Sequence, residues 1–219
     1  MKKYFNHEHL SVLLIMLLAG TYAHSQPCKD YLLSYSETDS TGNELYGYKT
    51  INGEIVIKAR YRLVYTDTLH LMATIMTPDW EVVCIDRNDS VLCRPFIFDN
   101  GPDYISEGVF RIVENGKMGF ADTDGKIVIP AVFDFVAPFG DGVEELREEG
   151  VADYVMGGHR QYLPGDEYWT WAGGYESGYI NHAGQRFAKI SKLKNGKRKA
   201  WTHEGKRAWL DRTGNIINK

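Results

Sequence analysis

Signals of catalysis are scarce in this chain. Its 219 residues contain no GxSxG elbow, Walker loop, dinucleotide fingerprint or HExxH pair, and His70, His159, His182 and His203 are dispersed. Nucleophilic and metal-assisted chemistry therefore lose their usual sequence evidence. The three cysteines, Cys28, Cys84 and Cys93, form no CxxC and no Cys/His spacing of the kind zinc uses. Sustained helical periodicity is almost absent. The Glu-rich stretch 143–150 comes nearest, and its alignment with 109–116 reads as strand instead. Long apolar runs are missing too: the run from Leu10 to Gly20 falls short of the ~20 residues a spanning helix needs, so no transmembrane span is expected.

What the N-terminus does hold is the order of a secretory signal. Lys2 and Lys3 precede the apolar run, and Ala23-His24-Ser25 place small residues where a signal peptidase reads. Residues 1–25 are accordingly expected to be removed, leaving a secreted or periplasmic chain that starts at Gln26. An oxidising compartment would let cysteines pair. Cys84 and Cys93 flank Asn88-Asp89. A two-residue hairpin loop would set them opposite each other as a candidate disulfide, whereas a three-residue loop would turn them to opposite faces.

Charge is distributed unevenly. From Arg186 onward there are 11 Lys and Arg against Glu204 and Asp211, a local balance of +9; the remaining 14 basic and 27 acidic residues give −13. Such a tail can meet an anionic partner, or Lys192, Lys194, Lys197 and Lys199 can simply alternate along a solvated edge. Nucleic acid is not expected as a partner, because no binding motif accompanies the charge.

Glycine is where the sequence becomes informative. Gly47-Tyr48 precedes Asn52-Gly53, Gly119-Phe120 precedes Asp124-Gly125, Gly178-Tyr179 precedes Ala183-Gly184, and Ala208-Trp209 precedes Thr213-Gly214, always at the same offset. A repeated offset of this kind means that one small β unit was copied. The clearest copy predicts a strand at 110–113, a turn at Asn115-Gly116, a strand at 118–122, a turn at 123–125 and a strand at 126–129 stopped by Pro130. Turn positions fall at 53, 89, 125, 184 and 214, with the second copy degenerate. The wide interval between 125 and 184 leaves room for a further copy around Asp153-Tyr154 and Gly158-His159. Five to six units result, in an all-β array of short antiparallel hairpins, either stacked or arranged as a small propeller. Residues 26–219 are expected to form a single domain, with an irregular insertion near 155–175.

The run Asn115-Gly116-Lys117-Met118-Gly119-Phe120-Ala121-Asp122-Thr123-Asp124-Gly125-Lys126-Ile127-Val128-Ile129-Pro130, followed by Phe133-Asp134, Phe139 and Gly142, closely resembles the WG β-repeat family of bacterial proteins. Residues 204–214 are similar to its first half. The family's tryptophan is replaced by Tyr46, Met118, Ser177 and Arg207. The resemblance implies an all-β repeat that is commonly exported or envelope-associated, and it brings no catalytic residues.

Local constellations add little chemistry. Asp122-Thr123-Asp124-Gly125 has the opening of a calcium loop without the closing Glu, and its slot is a turn in the other copies. Glu144-Glu145, Glu148-Glu149 and Asp166-Glu167 are adjacent pairs, and neighbouring strand positions point to opposite faces. Neither catalytic residues nor a cofactor or metal are assigned. Tyr168, Trp169, Trp171 and Tyr175 are the candidate binding residues: on a strand the two indoles would share a face and could grip a partner, or they could fill an irregular core. The chain reads as an exported, non-catalytic binding protein whose partner is an envelope or extracellular protein. A glycan-binding module and an uncharacterised hydrolase are the alternatives.

Overall fold

A computed structural model describes residues 30–140, 149–161 and 170–217; the expected signal segment and stretches 141–148 and 162–169 lie outside these. In the compact unit from Tyr31 to Lys219 the regular elements of the described residues are all β-strands.

Its first sheet contains β1 (Leu32–Thr38), β2 (Glu44–Thr50) and β3 (Ile55–Tyr61). The chain passes at Arg62 into β4 (Leu63–Val64), then β5 (Thr68–Leu69) returns to flank β1 in the order β3-β2-β1-β5. Next come β6 (Ala73–Met76), β7 (Val82–Ile85) and β8 (Val91–Cys93), and β4 heads this sheet as β4-β6-β7-β8. A separate two-stranded hairpin, β9 (Ile97–Phe98) and β10 (Gly101–Pro102), precedes the third sheet of β11 (Val109–Glu114), β12 (Lys117–Asp122) and β13 (Ile127–Phe133). Beyond Asp134, β14 (Phe135–Val136) opens the fourth sheet with β15 (Val151–Gln161), β16 (Thr170–Asn181) and β17 (Arg186–Phe187). The last sheet is β18 (Lys189–Ile190), β19 (Lys197–Trp201) and β20 (Arg207–Asp211). Among the described residues every paired strand is antiparallel, and no sheet closes into a barrel.

One device joins consecutive sheets. At three of the four junctions the third strand of a unit runs on into the first strand of the next, with a single residue at the break; between β8 and β11 the β9–β10 hairpin intervenes. That residue's N–H already belongs to the next sheet: Arg62 donates to Met76 O at 2.9 Å, Asp134 to Val155 O at 3.0 Å and Ala188 to Trp201 O at 2.8 Å. Packing follows the same succession, since each of four core clusters draws on neighbouring units. Tyr48, Ile57 and Tyr61 meet Ile75 and Val83; Cys84 and Cys93 meet Phe110 and Ile112; Phe120, Ile129 and Phe133 meet Tyr154 and Ile180; Phe187 meets Ala200 and Leu210. A single three-stranded meander has too little apolar area to bury alone, so each unit is completed by its neighbours.

The turns explain the sequence period. Gly53, Asp89, Gly125, Gly184 and Gly214 all have positive φ, between 67° and 88°. Glycine enters this region without steric cost, and Asp tolerates it. Asp39, Asp86, Asp122 and Asp211 stand at the first turn position, and each carboxylate accepts the N–H four residues on. Asp122–Gly125 is thus a hairpin turn. The other glycine of the motif has a different task. A Cβ on Gly119 would fall 2.7 Å from Ala131 N and closer still to Ile129 O, and Gly47 meets Ala59 and Ile57 in the same way. Both sit where the third strand bulges against the second.

Two expectations are corrected. Pro130 does not stop its strand: β13 continues to Phe133, because Pro130 lies within the bulge between the Phe120↔Ile129 and Met118↔Phe133 pairs, where no ladder N–H is required of it. Asp153-Tyr154 and Gly158-His159 form no extra copy. They belong to β15, which pairs with β16 from Val151↔Asn181 to Gln161↔Thr170 as one lengthened hairpin, so five units are seen among the described residues. The 143–148 part of the strand expected at 143–150 lies outside the described residues.

Candidate interaction surfaces

The best-built surface feature is the β9–β10 hairpin. Asp99 and Asn100 adopt positive φ of 48° and 67°, giving the tight connection between Phe98 and Gly101, which are register partners. Phe96 N–H donates to Arg111 O and Asp103 N–H to Phe96 O, which ties the hairpin base to β11. Beneath it lies a buried ion pair. Asp103 accepts Arg111 Nε at 2.8 Å, Nη2 at 2.7 Å and the Arg111 backbone N–H at 3.0 Å. Both side chains are almost wholly buried. The guanidinium also lies 4.6 Å from the Phe96 ring centre and 5.8 Å from that of Phe98. Phe98 meets Tyr104 edge-on at 6.2 Å. So anchored, Ile97, Phe98, Tyr104 and Ile105 remain 42–56% exposed.

Tyr104 borders an open cleft of about 520 Å³ that also takes in Ser106, Glu107, Glu149, His182 and Arg212. Glu107 receives Gly150 N–H on both oxygens, at 3.1 and 3.0 Å, and contacts His182 Nε2 at 2.8 Å. The imidazole stacks on Phe139 at 3.8 Å. Burial alone would raise the Glu107 carboxyl, but hydrogen bonds from His182 and Gly150 outweigh it and hold the group below the usual range. Ser106 Oγ donates to Phe139 O at 2.5 Å. Its proton is thus committed to a carbonyl, and the Ser and His here do not make a nucleophile–base chain. A second polar network joins two units: Tyr154 hydroxyl contacts Glu176 Oε1 at 2.6 Å and His203 Nε2 at 2.7 Å, while Arg186 reaches the same Glu176 oxygen at 2.7 Å. No group of three or more His, Cys, Asp or Glu is disposed to hold a metal among the described residues.

Of the residues singled out from sequence, the structure describes Trp171, Tyr175, Cys84 and Cys93. Tyr168 and Trp169 lie outside the described residues. Trp171 is half-buried, with its ring 5.7 Å from Phe135 and 6.0 Å from the Arg160 guanidinium, whereas Tyr175 is 77% exposed beside Gly157. Cys84 and Cys93 are register partners on β7 and β8, both buried and both free thiols. Sequence reasoning missed the β9–β10 hairpin. Its signal was Asp99-Asn100-Gly101 between apolar pairs, and the even spacing of turns concealed it. β8 has 3 residues where β3 and β13 have 7, and the shortfall offsets the inserted hairpin.

Strands handed from sheet to sheet, five like turns and cores shared by neighbours define an all-β repeat protein. Residues 118–143 match the family described as WG containing repeat, and the chain carries this repeat. A search of curated proteins finds no match. Among solved structures, a crystal form of the computationally designed Ika8 protein aligns over 84% of this chain and 70% of its own at 9% identity, with a TM-score of 0.22.

Proposed function

We propose that the array is an exported binding module whose partner is an envelope or extracellular protein, engaged through the β9–β10 hairpin. The observation that carries this reading is the group Ile97, Phe98, Tyr104 and Ile105, held outward by the buried Asp103–Arg111 pair. Large apolar side chains clustered at one place are unfavourable in water and suit the centre of an interface, and aromatic anchors contribute most there. The matching partner would offer an apolar socket to the Phe98–Tyr104 rings. Basic residues followed by an apolar run within residues 1–25 support export. A role in binding rather than catalysis is supported by the commitment of Ser106 to Phe139 O in the open cleft.

The test is affinity capture from solubilised envelope material and culture medium, with the chain and its Phe98→Asp/Ile105→Asp variant as baits. One saturable protein retained by the first and lost with the second supports the reading, provided circular dichroism of the two is the same. Equal capture by both, or recovery of polysaccharide on this surface, overturns it.

A further inference from the structure

We propose that the outward face of the last sheet binds an acidic saccharide, one carrying carboxylate, sulfate or phosphate groups. Strand alternation builds this face. On β19, Arg198 and Ala200 point to the core, so Lys197, Lys199 and Trp201 point out. Register then sets Trp209 opposite Lys199 and Arg207 opposite Trp201. Two half-buried indoles thus occupy diagonal cross-strand positions, roughly 7–8 Å apart. Each is topped by a lysine: Lys199 Nζ lies 5.5 Å from the Trp209 ring centre and Lys189 Nζ 5.6 Å from that of Trp201.

Beside Trp209 the face opens into a cleft of about 790 Å³, into which Lys192 and Lys194 enter from the β18–β19 loop to join Lys197 and Lys199. Aspartate and glutamate are absent from its lining. Nor does any of these four lysines form an ion pair among the described residues. Asp211, the register partner of Lys197, instead accepts Thr213 Oγ1 at 2.8 Å and Asn215 N–H at 2.9 Å within its own turn. Four ammonium groups around one cleft, none ion-paired among the described residues, repel one another, and an anion there relieves all four at once. Trp209 Nε1 itself is shielded from solvent and has no acceptor among the described residues, so the indole meets the cleft through its ring.

Cations alone would accept any polyanion; the indoles narrow the choice. A flat ring at the wall of a basic cleft presents an apolar surface to the C–H face of a sugar, while its rim is polar. Single-stranded nucleic acid would use a similar platform. Acidic saccharide is favoured over it on the export reading proposed above, on which this choice of ligand rests. The face is separate from the β9–β10 hairpin, so the two surfaces are tested independently.

The experiment measures binding of the full chain to heparin, polygalacturonate, neutral dextran and a single-stranded oligonucleotide across a salt series, read by calorimetry and tryptophan fluorescence. Heparin or polygalacturonate binding that weakens with salt, falls at least tenfold in the Lys192→Gln/Lys194→Gln/Lys197→Gln/Lys199→Gln variant and is retained in Phe98→Asp/Ile105→Asp supports the proposal. Trp209→Phe, which keeps an aromatic ring, should bind more weakly without unfolding. Binding unchanged in the quadruple variant overturns the proposal. So does dextran binding as tight as that of the acidic polymers, or oligonucleotide binding as tight as theirs. Because the lysines are at the surface, loss of fold does not confound the quadruple variant.

Discussion

Removing the Asp103 carboxylate should cost more stability than any surface change in the molecule. In Asp103→Ala the Arg111 guanidinium, 5% exposed, stays inside the protein with its partner gone, and three N–H donors at 2.7–3.0 Å lose their acceptor. A buried pair broken from one side typically costs about 3–5 kcal/mol, because the surviving charge is left desolvated. Against a total stability of about 5–15 kcal/mol, that is a large fraction. Removing both charges behaves differently: Asp103→Leu with Arg111→Met replaces the pair by apolar side chains, and such exchanges are often neutral. The assay is urea unfolding of the wild type, the single variant and the double variant, followed by circular dichroism. A cost below about 1 kcal/mol for Asp103→Ala would refute the reasoning, because it would mean that water reaches the guanidinium freely. A double variant as unstable as the single would refute it too, by assigning the loss to packing.

Gly53→Ala, with open space around it but φ of 88°, should lose roughly 1–2 kcal/mol as a left-handed residue; Gly119→Ala, whose Cβ would strike the β13 backbone, should cost about 3 kcal/mol, the upper end of overpacking, and thermal melts that rank Gly119→Ala no lower than Gly53→Ala would contradict this. Cys84 and Cys93 should form a disulfide when incubated with oxidised glutathione: the thiols give up two protons and two electrons, and glutathione is reduced. The bridge should raise stability by about 2.7 kcal/mol on the chain-entropy model for so short a loop, read by mass spectrometry and urea unfolding. Asp39, held at about 2 by the Thr41 hydroxyl and the Asn43 N–H, should support its turn fully above pH ~4 and lose that support as pH falls through about 2. A carboxyl resonance titrating near the ordinary aspartate value of 3.8 would contradict that turn geometry.

How far the sequence discloses this protein depends on what each residue answers to. Turn chemistry is local, so Gly53, Gly125, Gly184 and Gly214 mark hairpins by themselves, and Asp89 could be placed by spacing although it is not glycine. Pro130 misled because its effect depends on a bulge two strands wide, which no local pattern records. Trp171 was legible as an aromatic in an irregular stretch, yet whether its ring meets solvent is decided by Phe135, distant in sequence. The Asp103–Arg111 pair was illegible for the same reason: a buried charge looks like a surface one until its partner is placed. The excess of positive charge after Arg186 is visible in the sequence itself. Its sorting was not visible, because Arg198 turns wholly inward while Lys197 and Lys199 beside it turn out.

The hand-over of strands at Arg62, Asp134 and Ala188 puts the copied stretch of chain out of phase with the packed sheet. A length of sequence taken from one turn tip to the next holds the end of one sheet and the beginning of another. Growth or shortening of such a protein is therefore seamless only at its turns. Excising the chain between Gly53 and Asp89 rejoins half-hairpins of equivalent shape, whereas a cut at a sheet boundary severs a continuous strand. Length could change in whole increments from tip to tip, as a zip is lengthened by adding teeth, with each added copy arriving already stitched to its predecessor.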